Sequence, residues 1–242
     1  MYEPRTYRHW IKGQDLISFN IQVKETDLFI RASTNLKRKA LRLVTKYRTA
    51  LEKYIERHPS FLTSLEPASI TDDAPLIVES MAESARKVGV GPMASVAGAM
   101  AEFVGNELLA YSPEIIVENG GDIYLKSLDR RLIGIYAGSS PLSAKIGLEI
   151  NGEDTPIGVC TSSGTVGHSL SYGKADAVIA LSKSATLADA AATAIGNLIV
   201  EPSDIPRGID FAKNVDGLLG IIIIKDDSMG LWGQVKISQT LA

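Results

Sequence analysis

Residues 158–197 read GVCTSSGTVGHSLSYGKADAVIALSKSATLADAAATAIGN, and no other stretch restricts the fold as much. It holds the only cysteine, Cys160, together with His168, a Ser/Thr/Gly turn and an alanine-rich helix carrying Asp189 and Thr193. Side chains this small crowd together where a backbone must come close to something, because only they leave the space. That something is a ligand or another part of the chain.

The flanking pattern narrows the architecture. LISFNIQV and TDLFIRAS alternate apolar and polar residues around a charged Lys-Glu turn, which predicts a hairpin. From Asn35 to His58 the apolar residues Leu36, Ala40, Leu43, Val44, Tyr47, Leu51 and Tyr54 recur at helical spacing. Lys37, Arg38, Arg42, Lys46 and Lys53 fall on the opposite side, which reads as a solvated face. A second helix begins after Asp72 and Asp73, either of which can cap it, with Pro75 in the first turn and Gly89 and Gly91 at its end. A small-residue helix, PMASVAGAMAEFVGNELLAY, follows at once. EIIVENGGDIYLKS then reads as strand, Gly-Gly turn, strand, and RRLIGIYAG, AKIGLEI and PIGVCTSS add further strands. After the strand ADAVIAL and the alanine-rich helix, the tail supplies helix DIPRGIDFAKN, strand GLLGIIIIKD, turn DSMG and strand LWGQVKIS. Runs of strands with separate helices, and no sequence repeat, predict an α+β fold with mixed or antiparallel sheets as one domain over residues 1–242.

A net charge of -3 argues against general nucleic-acid binding, which needs a basic excess. The longest apolar run falls well short of the ~20 residues that span a bilayer, and no signal peptide is evident. A single cysteine fits a reducing compartment, so the expectation is a cytoplasmic protein without membrane partners.

Three constellations carry chemistry. KVGVGPMASVAGAMAE presents backbone N–H groups at a helix start, where an anion is favoured, but Ala94, Ala97, Gly98 and Ala101 equally permit close helix packing. In ENGGDIY, Gly120 and Gly121 form a turn edged by Glu118, Asn119 and Asp122, able to hold a metal or nucleotide hydroxyls or to be a plain hairpin. Asp189 and Thr193, four apart on one helix face, are hard oxygen donors suited to Mg²⁺, or Asp189 simply complements the helix dipole. His168 is a candidate acid/base in a loop. Cys160 ends an apolar strand, where a free cysteine is usually a small buried hydrophobe.

The order of GPMASVAGAMAE, NGGDIY, CTSSGTVGHS and TLADAAATAIGN, across roughly residues 89–197, resembles the ApbE superfamily of Mg²⁺-dependent FMN transferases that use FAD as donor. The resemblance implies a fold related to the T-fold, metal ligation by Asp189, Thr193 and the Ala94 carbonyl, and a nucleotide bordering Gly120, Gly121 and Asp122. It also places Thr161, Ser162, Ser163 and Gly164 near the flavin, with His168 in the transfer step. The family's Met-Gly-Thr turn is replaced here by SFNIQV, and its helix lysine by Ser95. ETDL at Glu25–Leu28 and MGLWG at Met229–Gly233 resemble a compact branch of the superfamily, some archaeal members of which are linked to sulfide assimilation and homocysteine formation.

The expected ligand is therefore Mg²⁺ with FAD or another adenine nucleotide, and the close packing in CTSSGTVGHS is expected to serve it. A protein partner fits the same reading. The alternatives are a non-catalytic binding or assembly protein and a sulfur-handling factor that carries persulfide on Cys160.

Overall fold

The computed structural model describes residues 16–166 and 171–239. Its centre is an eight-stranded sheet in which every neighbouring pair is antiparallel. The strands, in spatial order, are β1 (Ile17–Val23), β2 (Thr26–Ala32), β3 (Ile115–Asn119), β4 (Asp122–Lys126), β7 (Ile157–Ser162), β8 (Ala177–Ser182), β9 (Leu218–Lys225) and β10 (Ser228–Gly233). A smaller sheet combines β5 (Arg131–Gly134), β6 (Ile146–Ile150) and β11 (Ile237–Gln239). The helices are α1 (Lys37–Arg57), α2 (Ser60–Thr63), α3 (Leu76–Val88), α4 (Val96–Leu108), α5 (Ala185–Gly196) and α6 (Ile205–Lys213).

The central strands of the large sheet are buried on both faces. Along β9, Ile221 and Ile223 enter the core beneath the helices, while Ile222 and Ile224 enter a second core shared with residues of β5 and β6. Alternate side chains of a strand point to opposite faces, so the continuous Ile run belongs to a strand covered on both sides. The outcome is an α+β fold of three layers, helices over large sheet over small sheet.

The order of elements repeats. Hairpin β1–β2, helices and hairpin β3–β4 are followed by hairpin β7–β8, helices and hairpin β9–β10. The two halves join where β4 pairs with β7, in the register Ile123↔Val159, Tyr124↔Gly158 and Leu125↔Ile157. Helix α4 lies on β3 and β4, α5 lies on β7 and β8, and the two helices pack together above this seam.

Two local expectations are corrected. Neither Asp72 nor Asp73 caps α3: extended Pro75 precedes its first residue, and Asp73 instead accepts from Thr71 and Arg57. Gly89, at φ +75°, does end that helix in the left-handed conformation that glycine favours. The final strand is not continuous over LWGQVKIS. It stops at Gly233, where φ is +83° and a side chain would stand 2.2 Å from the Leu219 carbonyl oxygen, and the chain leaves for the small sheet as β11.

Candidate functional site

The seam brings together groups from four elements. Asp122 opens β4 beside the end of β7, and its Oδ1 accepts from the Thr161 backbone N–H at 3.1 Å. Asp189, on α5, receives the Gly98 N–H on Oδ2 at 2.8 Å, and the Ala97 amide also donates to its carboxylate. A carboxylate at the start of α4 satisfies donors that have no partner within the helix. The Gly-Gly turn is tied to the same place, because Asn119 Nδ2 donates to the Ala97 carbonyl at 3.1 Å. Glu118 Oε1 closes that turn by accepting from Gly121 N at 2.9 Å.

Both acids are buried. Burial raises the Asp189 pKa to about 7, although the Gly98 and Ala97 amides pull it down. Burial also drives Asp122 well above the carboxylate range, and the charges of Asp189 and then Glu118 push it further. The carboxylates of Asp189 and Glu118 both bear on Asp122 as negative charges. Carboxylate oxygens are hard donors of the kind that a divalent cation takes, and a cation there would offset the charge that burial disfavours. Among the described residues no group of three or more His, Cys, Asp and Glu side chains is placed to hold a metal.

The other expected donors lie close by. Ala94 is half-buried in a 3₁₀ turn, Pro92–Ser95, that packs against α5. Thr193 is half-buried one turn beyond Asp189. Ser95, where the family's lysine would stand, is fully buried and donates to the Pro92 carbonyl at 2.8 Å, which closes that turn.

The glycines divide into two kinds. Gly120 and Gly121 have φ of +69° and +108°; a side chain at Gly120 would meet nothing within 4 Å, and one at Gly121 only Thr161 Cβ at 4.0 Å. These face open space. Gly158 and Gly164, around CTSSGTVGHS, do not. A side chain at Gly158 would stand 2.3 Å from Ala185 Cα, and one at Gly164 would stand 2.2 Å from the Gly173 carbonyl oxygen. Protein backbone fills both places.

Thr161 and Ser162 finish β7, and Ser163 Oγ accepts from Val166 N at 2.9 Å and Thr165 N at 3.1 Å, folding the turn locally. Gly164 N donates to the Ala175 carbonyl at 2.9 Å. Thr161 therefore joins the Asp122 cluster, while Ser163 and Gly164 pack toward Ala175. His168 lies outside the described residues. Cys160 is fully buried, with its thiol between the Ala185 carbonyl, 3.2 Å away, and Asp122. Burial and then the Asp122 and Asp189 charges push the thiol pKa up, so thiolate is disfavoured and a sulfur donor has no approach. The persulfide reading is thereby corrected.

Sequence reasoning missed Glu102. Its Oε2 accepts from Ser184 Oγ, Thr186 N and Thr186 Oγ1, each at 2.9 Å, at the start of α5. Nothing local in AMAEF indicates a partner so far along the chain.

Comparison with known proteins agrees with this architecture. A UPF0280 protein of Methanococcus aeolicus is 40% identical over 230 residues, covering 93% of this chain and 90% of the relative. A UPF0280 protein of Methanocaldococcus jannaschii is 42% identical over 221 residues, covering 89% and 90%. Among solved structures, the flavinyl transferase ApbE of Pseudomonas stutzeri in its apo form superposes with a TM-score of 0.59 at 15% identity, covering 90% of this chain and 94% of that one. The flavin transferase ApbE of Vibrio cholerae gives 0.52 at 16% identity, covering 90% and 96%. These two likenesses show a shared fold. The profile of the family described as AbpE bacteria matches residues 8–223, and by that match, together with its UPF0280 relatives, the chain belongs to this ApbE-like family.

Proposed function

We propose that the protein binds FAD or another adenine nucleotide with Mg²⁺ at the seam between its halves, and that the bound nucleotide is the donor in flavinyl or phosphoryl transfer to a protein acceptor. One observation carries the reading: the buried Asp189 carboxylate sits at the start of α4, beside Asp122 and an open Gly-Gly turn. The likeness to two flavin transferases supports the choice of donor.

Asp189, Thr193 and the Ala94 carbonyl would hold Mg²⁺, which would neutralise phosphate charge as transfer proceeds. Gly120 and Gly121 leave room for the nucleotide, and Asp122 holds the Thr161 amide so that the turn from Thr161 to Gly164 borders it. His168 is assigned the proton of the acceptor hydroxyl as its oxygen bonds to phosphorus and the nucleotide departs. A cytoplasmic site of action belongs to the same proposal; among the described residues no single helix is long and apolar enough to cross a membrane.

The test is calorimetric titration of FAD and ADP, with and without Mg²⁺, into the wild-type protein and Asp189→Asn. Asparagine can still accept from Gly98 N but lacks the charge, so the helix start survives while the metal site is weakened. Mg²⁺-dependent binding to the wild type that is lost in Asp189→Asn is the expected result; equal affinity in both removes the assignment.

A second reading, binding without turnover, is favoured by the buried Ser95 in place of the family's lysine. Release of AMP from FAD in the presence of an acceptor protein separates the two.

A further inference from the structure

We infer that Glu102 is a positioning residue for the Asp189 site, acting through a reciprocal clamp between α4 and α5; the inference rests on the nucleotide and Mg²⁺ reading above. Asp189, on α5, holds the first turn of α4 through Gly98 N at 2.8 Å. Glu102, on α4, holds the first turn of α5 through Thr186 N, Thr186 Oγ1 and Ser184 Oγ, each at 2.9 Å. Gly98 and Glu102 are one turn apart on α4, as Thr186 and Asp189 nearly are on α5, so the helices run antiparallel with an acid from each gripping the other's start.

Two observations show that the clamp sets position rather than merely capping a helix. First, α5 already has a local cap, since Ser184 Oγ accepts from Leu187 N at 3.3 Å. Glu102 adds a tertiary hold upon it. Second, the helices meet at backbone distance: a side chain at Gly98 would stand 2.3 Å from the Ala185 carbonyl oxygen and 2.8 Å from Asp189 Cβ. No compressible side chain lies between them, so any slip of α5 along α4 moves the Asp189 carboxylate relative to Ala94 and the Gly-Gly turn. Glu102 itself does not touch the proposed ligand position. Its three bonds are all to α5 or the residue before it.

Two measurements on the full-length protein test this. In calorimetric titrations with ADP, Glu102→Ala weakens the Mg²⁺-dependent affinity about tenfold, as loss of a residue that orients a metal ligand does. Mg²⁺-free binding stays at the wild-type level. Glu102→Gln, whose amide oxygen can accept the same bonds, restores most of the loss, which a requirement for charge at this position would not allow. The second measurement needs no ligand: hydrogen exchange at the Gly98 amide, a partner of Asp189 and not of Glu102, accelerates in Glu102→Ala together with Thr186.

Unchanged Mg²⁺-dependent affinity in Glu102→Ala overturns the positioning role, as does equal weakening with and without Mg²⁺. Exchange that accelerates at Thr186 alone overturns the clamp. If the wild type itself shows no Mg²⁺-dependent nucleotide binding, the functional reading fails and the positioning role falls with it, while the exchange result still decides whether the clamp exists.

Discussion

Asp189 is where the chemistry of single residues bears most directly on the proposed function. Its carboxyl is raised from 3.8 to about 7, first by burial, with the Gly98 and Ala97 amides opposing. A folded-state pKa above the unfolded value means that the native protein holds a proton the unfolded chain releases. The resulting stability is complete below the unfolded value and is lost as pH rises through about 7. The melting temperature of ligand-free protein should therefore fall between about pH 4 and about pH 7 and level off above that, and Asp189→Asn should remove that part of the fall. Parallel melting curves for the two proteins across this range would mean that Asp189 ionises normally in the fold. On the proposed function Mg²⁺ would compete with the same proton, so Mg²⁺-dependent affinity should rise over the same window. Asp189 and Thr193 could be read as candidate donors because helical spacing puts them on one face, and Asp122 as a candidate site residue because it follows a Gly-Gly turn. Gly98 was legible only as a packing residue. Its bond to Asp189 spans 91 positions, which no local pattern encodes.

Elements assemble here through a few polar ties set in apolar packing. Beneath the large sheet, Glu114 Oε2 accepts from Ser127 Oγ at 2.7 Å, Leu128 N at 2.9 Å and Arg131 Nη2 at 2.8 Å. Burial tends to raise the Glu114 pKa, but the bonds from Ser127, Leu128 and Arg131 outweigh it and hold the carboxyl below its ordinary value. The ion pair fastens β5 of the small sheet to the chain entering β3. Replacing Arg131 with Met leaves a buried carboxylate without its cation, and urea denaturation should show a loss of about 3–5 kcal/mol. Pairing that change with Glu114→Leu should recover much of it, because a matched apolar pair has no desolvation cost to offset. A single-variant loss under about 1 kcal/mol would place the pair among weak surface bridges and refute this account. Strands and helices themselves were largely readable from period-two and helical spacing. Their assignment to two sheets was not: RRLIGIYAG and AKIGLEI carry the same alternation as the strands of the large sheet. The break at Gly233 was hidden because only a backbone contact with Leu219, distant in sequence, makes a left-handed residue necessary there.

At the scale of the whole molecule, two halves with the same order of hairpin, helices and hairpin share one continuous sheet, and the candidate site occupies their junction. The repeat left no trace in the sequence because packing constrains polarity and size at each position, and many residue choices satisfy both. The junction itself is narrow in hydrogen bonding, with three residue pairs in register between β4 and β7, so α4 and α5 must carry much of the coupling. Gly158 is the point where this coupling can be tested. It lies on β7 opposite Tyr124 of β4, and a side chain there would meet Ala185 Cα at 2.3 Å and Ala185 N at 2.6 Å. Both obstructing atoms are backbone, so Gly158→Ala must lift α5 from the sheet, at a cost of about 1–3 kcal/mol. If the halves form one cooperative unit, hydrogen exchange should show that loss equally at the slowest amides of β3 in the first half and β9 in the second. Lifting α5 also draws Asp189 from the start of α4, so Mg²⁺-dependent nucleotide affinity should fall in the same variant. Retention of wild-type protection in β3 while β9 loses it would show that the halves open separately. The site would then depend on the second half folding onto a first half that is already stable, and ligand binding would protect α5 and β7 without protecting β3.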